Sequence, residues 1–267
     1  MIYVTGDTHA ELDILKLYKN IWWEGQHLTR DDYLVICGDF GAVWRGDLRD
    51  HKLLSWYERK PWTTLWVDGN HENHDAIDAF PVTSRFGGHV QVVPGFPHVI
   101  HLMRGEVYEL PAGPDETVRA FVMGGAPSID RMYRVEGLSW WAREMPSDEE
   151  YANATACLDA CDWSVDYVFT HEVPYSMLVD SLDWNYAIER NDPRGNELTG
   201  FLQYVDEKLD HDRLKMWYAG HYHKDHMMED GHHCILYQQV VPLGEGPHGL
   251  GDEGDAGDTT DAEKNNG

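Results

Sequence analysis

An α/β fold with more than one sheet is predicted by three features of the chain. Ile2–Val4, Tyr33–Cys37 and Thr63–Val67 are short apolar runs of strand length, separated by segments with helical spacing. That alternation builds a buried, largely parallel sheet. Val90–Val93, Val99–Met103, Glu106–Leu110 and Val118–Met123 then follow in close succession, broken by Pro, Gly and polar residues, which suits hairpins or a second sheet. Val165–Thr170, Leu214–Ala219 and Cys234–Val241 return as apolar strands later in the chain.

The helical segments are justified one by one. Glu11–Trp22 places Leu12, Leu15, Tyr18 and Trp22 at helical spacing. Leu48–Arg59 suits a helix that stops before Pro61. Ser147 and Glu150 form the S-x-x-E pattern of a capping box, which opens a helix through about Ala160. Cys157 and Cys161 fall on one face of that helix and are expected to be buried. Glu197–Leu209 is the last predicted helix. No internal repeat is evident.

Composition bounds the function. The chain has 267 residues, 42% hydrophobic and 25% charged, which is ordinary for a globular protein. Its mean hydropathy is -0.54, and no apolar run approaches the roughly 18 residues of a spanning helix. The start, MIYVTGDTH, lacks a basic region and a long apolar run, so no signal peptide is expected. Four cysteines without a C-x-x-C pair point to a reduced, cytoplasmic setting. The formal net charge of -26 opposes binding of long nucleic acid, which relies on Lys and Arg. It does not exclude phosphate-bearing substrates, because bound cations invert a local field.

Residues 245–267 differ from the rest, with seven carboxylates, one lysine and many glycines. Too little apolar surface is present to offset ordering entropy, so a disordered tail is expected after a catalytic body at 1–244. Gly244, Gly246 and Gly249 match G-x-G-x-x-G, but no helix follows and Pro247 interrupts the match.

Chemistry concentrates at strand ends. Asp7 and His9 follow the first strand, Asp39 the second, and Asn70, His71 and Glu72 the third. His171 follows Val165–Thr170, and His221 and His223 follow Leu214–Ala219. The C-terminal edge of an open α/β sheet is where ligands bind. A single Asp there is ordinarily a turn residue, and a single His a surface or core residue. Five such motifs in order have a common cause. This mixed oxygen and nitrogen donor set exceeds what one tetrahedral zinc needs. A carboxylate such as Asp39 can bridge two cations, the usual device for phosphoryl and acyl hydrolysis. Imidazole with carboxylate suits Mn, Fe or Zn. His71-Glu72-Asn73-His74 is not H-E-x-x-H, which disfavours a zincin protease.

The order Asp7-x-His9, Gly38-Asp39, Gly69-Asn70-His71-Glu72, His171 and Gly220-His221-Tyr222-His223 resembles the calcineurin-like metallophosphoesterase superfamily. The stretches GDFG, HLMRG, MGGAPSIDR and WWAREMPS look like its bacterial and phage members. The resemblance implies a four-layer α/β/β/α sandwich of two mixed sheets, with a metal site at strand C-terminal ends. It implies that Asp7, His9 and His223 bind one metal, that Asn70, His171 and His221 bind the other, and that Asp39 bridges them. His71 would be catalytic, protonating the leaving alkoxide or stabilising charge on the phosphoryl group.

One block departs from the superfamily's Ser/Thr phosphatases, which carry G-D-x-x-D-R-G. Ala42 and Val43 stand where the supporting Asp and the phosphate-binding Arg would be. The expected activity is therefore hydrolysis of a small phosphate mono- or diester by attack of a metal-bound hydroxide, for instance on a nucleotide or cyclic nucleotide. A phosphoprotein phosphatase, a catalytically silent metal-binding module and a hydrolase of non-phosphate substrates remain alternatives. Arg104, Arg131 and Arg134 are candidate phosphate clamps, in a segment 104–143 expected to form the specificity wall with Trp140, Trp141 and Trp44.

Overall fold

The computed structural model describes residues 1–181 and 196–248. In chain order the strands are β1 (Ile2–Thr5), β2 (Tyr33–Cys37), β3 (Thr63–Val67), β4 (Val82–Arg85), β5 (Gly88–Val92), β6 (Val99–Leu102), β7 (Val107–Gly113), β8 (Glu116–Met123), β9 (Tyr167–Thr170), β10 (Met216–Ala219), β11 (His226–Met227), β12 (His233–Ile235) and β13 (Val240–Pro242). The α-helices are α1 (Leu48–Glu58), α2 (His74–Asp78), α3 (Asp148–Ala160), α4 (Tyr175–Ser181) and α5 (Glu197–Lys208).

The strands form two mixed sheets, ordered β13-β1-β2-β3-β6-β5-β4 and β11-β12-β10-β9-β8-β7. Both are parallel in the middle and antiparallel at the edges. In the first, β1, β2, β3 and β6 run parallel, with β13 antiparallel to β1, β5 antiparallel to β6 and β4 antiparallel to β5. In the second, β12, β10, β9 and β8 run parallel, with β11 and β7 antiparallel.

Strand periodicity assigns the core. Successive side chains point to opposite faces, so a strand buried on both sides reads as continuously apolar. In β2, Tyr33, Val35 and Cys37 join the core between the sheets, while Leu34 and Ile36 face the outer cluster with Tyr57 and Leu54 of α1. In β9, Tyr167 and Phe169 face inward and Val168 faces outward onto Ala154 and Leu158 of α3 and Leu202 of α5. The result is the four-layer α/β/β/α sandwich. The capping box at α3 is present: Ser147 Oγ accepts from the Glu150 N–H, and a Glu150 carboxylate oxygen accepts from the Ser147 N–H at 2.7 Å.

Three sequence expectations need correction, and one strand was missed. Glu11–Trp22 is not an α-helix; it holds a short 3₁₀ turn, Ile14–Leu17, with Leu12 and Leu15 exposed. Tertiary demands override the local period: the Lys16 ammonium is buried against the carbonyls of Gly6, Asp7 and Tyr237. Cys234–Val241 is not one strand. It splits into β12 of the second sheet and β13 of the first, and the Asp225 carboxylate accepts from the N–H groups of Tyr237, Gln238 and Gln239 in the crossing. Cys157 and Cys161 are half-buried rather than core, and Cys161 caps α3. The hairpin strand β4 had no apolar alternation to reveal it, and three of its four residues are exposed.

Residues just past 244 keep hydrogen bonds to the body. The Tyr218 hydroxyl donates to the Glu245 carbonyl at 3.0 Å, and Gln239 and His248 exchange two hydrogen bonds. The remainder of the acidic tail lies outside the described residues.

The α3 cap gives a direct test of how local structure supports the outer layer. Ser147→Ala is expected to lower stability by about 1 kcal/mol. Urea denaturation should show an earlier midpoint with an unchanged slope.

Candidate metal centre

The predicted donors converge from both sheets. Asp7 and His9 follow β1, Asp39 follows β2, and Asn70 and His71 follow β3. His171 follows β9, and His221 and His223 follow β10. The loops that carry them are conformationally demanding: His9, Asp39, His221 and His223 all have positive φ, at 40°, 44°, 68° and 52°. Such backbone persists in non-glycine residues only where the surroundings over-determine it, and it clusters at functional sites. Gly38 has φ of 93°, and a Cβ there would lie 2.0 Å from His171 Nδ1. At Gly69 a Cβ would lie 2.1 Å from an Asp39 carboxylate oxygen. Both glycines leave room for the donors themselves.

Two donor sets share one carboxylate. Asp7, His9, Asp39 and His223 bring ligand atoms within 4.8 Å of one another, and so do Asp39, His171 and His221. His9 Nε2 lies 3.1 Å from Asp39 Oδ2, and His171 Nε2 lies 3.3 Å from Asp39 Oδ1. His223 Nε2 lies 3.2 Å from Asp7 Oδ2. Asn70 Oδ1 is 3.3 Å from His171 Nε2, at the edge of the second set. His71 belongs to neither set. Its N–H donates to Asp39 Oδ1 at 2.8 Å, and its ring meets that of His9 edge-on at 5.3 Å.

Surrounding groups orient the ligands. His171 Nδ1 lies 2.9 Å from the Cys37 carbonyl, an acceptor, so Nδ1 carries the proton and Nε2 presents its lone pair to the centre. His9 Nδ1 lies 2.7 Å from Asp13 Oδ2, which leaves Nε2 for the centre. The Tyr237 hydroxyl donates to the other Asp13 oxygen at 3.0 Å. Glu72 accepts from the N–H groups of Phe40 and Gly41, holding the loop that carries Asp39. Lys16 ties down the Asp7 loop through its carbonyls. Of these groups, Asp13 lies four residues after His9 and Glu72 lies inside a recognised motif, so both are local to a predicted donor. Lys16 and Tyr237 had no such signal.

The electrostatics suit cations. Burial drags the His9 and His171 rings down, but Asp39 and Asp7 outweigh it and lift them to about 9 and about 10. Burial pushes the Asp39 carboxyl up, and His171 with His9 outweighs it, holding Asp39 well below the usual carboxylate range. The centre thus stabilises positive charge wherever it is placed. Asp7 Oδ2 is buried and, although His223 Nε2 lies 3.2 Å away, it accepts no hydrogen bond, a costly state for a carboxylate oxygen. Donor chemistry and this oxygen both fit bound metal ions.

The three arginines part company. Arg134 lies close enough for its charge to depress His71, though its Nε is paired with Asp130 at 2.6 Å. Arg131 is exposed on the neighbouring 3₁₀ turn. Arg104 is not a clamp. Its guanidinium is buried, with Nε donating to Asp68 Oδ2 at 2.8 Å and Nη2 donating to the Glu144 carbonyl. Asp68 also lies 3.0 Å from His101 Nε2. Arg104 is committed to a structural ion cluster because a carboxylate as buried as Asp68 requires a cationic partner.

Trp44, Trp140 and Trp141 do not form one stacking wall. The Trp44 ring lies 6.4 Å from His71 at 28°, and 5.2 Å edge-on from Trp141. Trp141 is buried and its Nε1 donates to Asp75. Ala42 and Val43 are buried in the outer core, so no polar side chain comes from those positions.

The model of the calcineurin-like phosphoesterase family matches residues 1–225, and the chain belongs to that family. No curated protein matches it. Among solved structures it is similar to a candidate 5′-nucleotidase from Staphylococcus aureus, solved in complex with alpha-ketoglutarate. That pair shares 13% identity with a TM-score of 0.47, over 88% of this chain and 48% of the other. The calcineurin-like phosphoesterase YfkN from Bacillus subtilis also shares 13% identity, with a TM-score of 0.42 over 89% of this chain and 81% of its own. This chain therefore spans about half the length of the first of these structures.

One shared carboxylate predicts an asymmetric response to mutation. Asp39→Asn should weaken both cation sites together, whereas His9→Ala should empty mainly one. Elemental analysis and calorimetric titration of the two variants check this. A single cation per wild-type chain at saturation would refute the paired donor sets.

Proposed function

We propose that this chain is a phosphoesterase that hydrolyses a small phosphate mono- or diester with two divalent or trivalent cations, drawn from Mn, Fe and Zn. The observation that carries the reading is the pair of donor sets sharing Asp39, with His71 beside them and in neither. A binding module would have no use for an imidazole so placed. Asp7, His9, Asp39 and His223 would hold one cation, and Asp39, Asn70, His171 and His221 the other. When bound, the cations supply positive charge for the phosphoryl oxygens and a nucleophile at neutral pH.

The chain's own residues do the rest. Burial, with Asp39 opposing it, holds His71 below its ordinary value, and the charges of His9, Arg134 and His171 add to the depression. A phosphate dianion placed beside the ring works in the other direction, so substrate binding loads His71 with a proton. His71 then gives that proton to the leaving oxygen. The Asp39 carboxylate accepts from the His71 backbone N–H and so anchors the main chain from which the ring projects. Trp44 lies alongside the ring at 6.4 Å between centroids.

Substrate size follows from charge and from the vacant polar positions. The net charge of -26 disfavours long nucleic acid, and the apolar Ala42 and Val43 disfavour a phosphoprotein. Arg131 and Arg134 are the remaining candidates for phosphate contact. Residues 1–244 would be the catalytic unit, with the acidic segment after them outside the chemistry. A cytoplasmic location accords with four free thiols. Among the described residues no helix is long and apolar enough to cross a membrane.

Two experiments decide the reading. With Mn added, the protein is expected to hydrolyse p-nitrophenyl phosphate or its bis ester, and His71→Gln should lower kcat about 100- to 10,000-fold with metal content intact. No turnover of any phosphate ester by protein with two cations bound would leave a silent module instead. A panel of nucleotides, cyclic nucleotides, phosphopeptides and oligonucleotides, assayed with Mn, Zn and Fe, ranks substrates by kcat/KM. A phosphopeptide or long oligonucleotide at the head of that ranking would overturn the small-ester proposal. Replacing Arg134 or Arg131 should lower kcat/KM for the best small ester without changing metal content.

A further inference from the structure

We infer that Ser128 and Glu144 are positioning residues for the second cation, acting through the amide of Asn70. The inference rests on the proposed place of Asn70 among the ligands of that cation. It adds two residues from a segment that supplies no ligand of its own.

An asparagine side chain presents an oxygen on one side and an NH₂ on the other, and only the oxygen can ligate a cation. Something must therefore decide which way the amide faces. Asn70 is buried, and its Nδ2 donates to Ser128 Oγ at 3.3 Å. Ser128 is itself clasped by Glu144. The Ser128 N–H donates to Glu144 Oε1 at 2.8 Å, and Ser128 Oγ donates to Glu144 Oε2 at 2.6 Å. All three residues are nearly inaccessible, at 5%, 4% and 1% exposure for Asn70, Ser128 and Glu144.

Burial pushes the Glu144 carboxyl up, and the Ser128 N–H and hydroxyl that it accepts from work against that rise. With Glu144 ionised the polarity of this chain of bonds has one solution: the carboxylate offers only acceptors, so the single hydroxyl proton of Ser128 must point at it. Ser128 Oγ is then left with lone pairs and can only accept from its other neighbour. Asn70 must turn its NH₂ toward Ser128, which sends Oδ1 toward His171 Nε2, 3.3 Å away. The inverted amide would set NH₂ against the cation and oxygen against oxygen at Ser128. Glu144 ends a short 3₁₀ turn at Ala142–Glu144, and its carbonyl accepts from the buried Arg104. The ion cluster of Arg104 and Asp68 thus anchors the far end of the relay. Outer groups of this kind typically change metal affinity about 10- to 100-fold when removed.

The test uses the full chain freed of cations and titrated calorimetrically with Mn²⁺ alone. The two binding events are assigned with His9→Ala and His221→Ala. In Ser128→Ala the affinity of the cation held by His171 and His221 is expected to fall about 10- to 100-fold, with the other unchanged. Ser128→Thr, which keeps the hydroxyl, is expected to restore it. Glu144→Gln nearly preserves volume but can present a donor to Ser128 Oγ, and should give the same selective loss. In an Asn70→Asp background, where the ligand has no wrong side, Ser128→Ala should cost far less. The thermal midpoint of the cation-free protein is read alongside, because a merely structural role would lower it and weaken both cations alike. Equal affinities in Ser128→Ala and wild type, or equal losses at both sites, would overturn the relay while leaving the two-cation reading intact. Where Ser128→Ala fails to fold, the same comparison is made with Glu144→Gln. A wild type that binds one cation overturns the two-cation reading, and the relay with it.

Discussion

A buried carboxylate shared by two clusters of imidazoles sets the terms for the rest of the molecule. Asp39 stands at the end of β2 in left-handed backbone, with one oxygen near His9 and the other near His171. An ionised carboxylate in such a place is tolerable only with positive charge around it. Its neighbours are arranged accordingly. Gly69 leaves it space and Gly38 leaves space for His171, Glu72 secures the N–H groups that follow it, and the His71 backbone N–H donates to it. A loop built for any other purpose would not accumulate strain, burial and charge at one residue.

The centre also welds the two sheets. Asp7, Asp39 and Asn70 come from the first, while His171, His221 and His223 come from the second. Hydrogen bonds cross between them where the donors meet: His171 Nδ1 with the Cys37 carbonyl, and the His221 N–H with Asp7 Oδ1 at 2.9 Å. The apolar core between the sheets holds their separation, and a dense core does not deform by the fraction of an ångström that ligation geometry would notice. Packing and chemistry are therefore one constraint here.

Most of the donor set was legible in the chain because each donor follows an apolar strand, and the local pattern of strand, then glycine or turn, then ligand repeats. His171 and the His221–His223 pair could be recognised without knowing which sheet they came from. What escaped was whatever depended on a distant partner. The period at Glu11–Trp22 was read as helical, yet Lys16 is drawn inward to carbonyls that include that of Tyr237, far along the chain. Arg104 resembled a clamp because its buried partner, Asp68, lies 36 residues earlier. Ser128 and Glu144 lie in the stretches MGGAPSIDR and WWAREMPS, but nothing local in either stretch says that the two side chains meet. The break between β12 and β13 was hidden because apolar residues suit either sheet, and only Asp225, binding three successive backbone N–H groups, shows where the chain changes sheets.

The order in which the first sheet is completed has a consequence for biosynthesis. β1 is flanked by β2 on one side and β13 on the other, and the Thr5 hydroxyl meets the Gln239 carbonyl across 234 residues of chain. At about 5–20 residues per second of synthesis, the outer edge of β1 waits roughly 10–50 s for its partner. Until then it offers unpaired backbone to any strand in reach. Over much of the same interval Asp7 and Asp39 stand near one another before His221 and His223 have been made. Cation capture at full coordination would thus be a closing event of folding rather than a seed for it, and a nascent chain stalled before β10 would expose an open sheet edge and a centre still lacking His221 and His223.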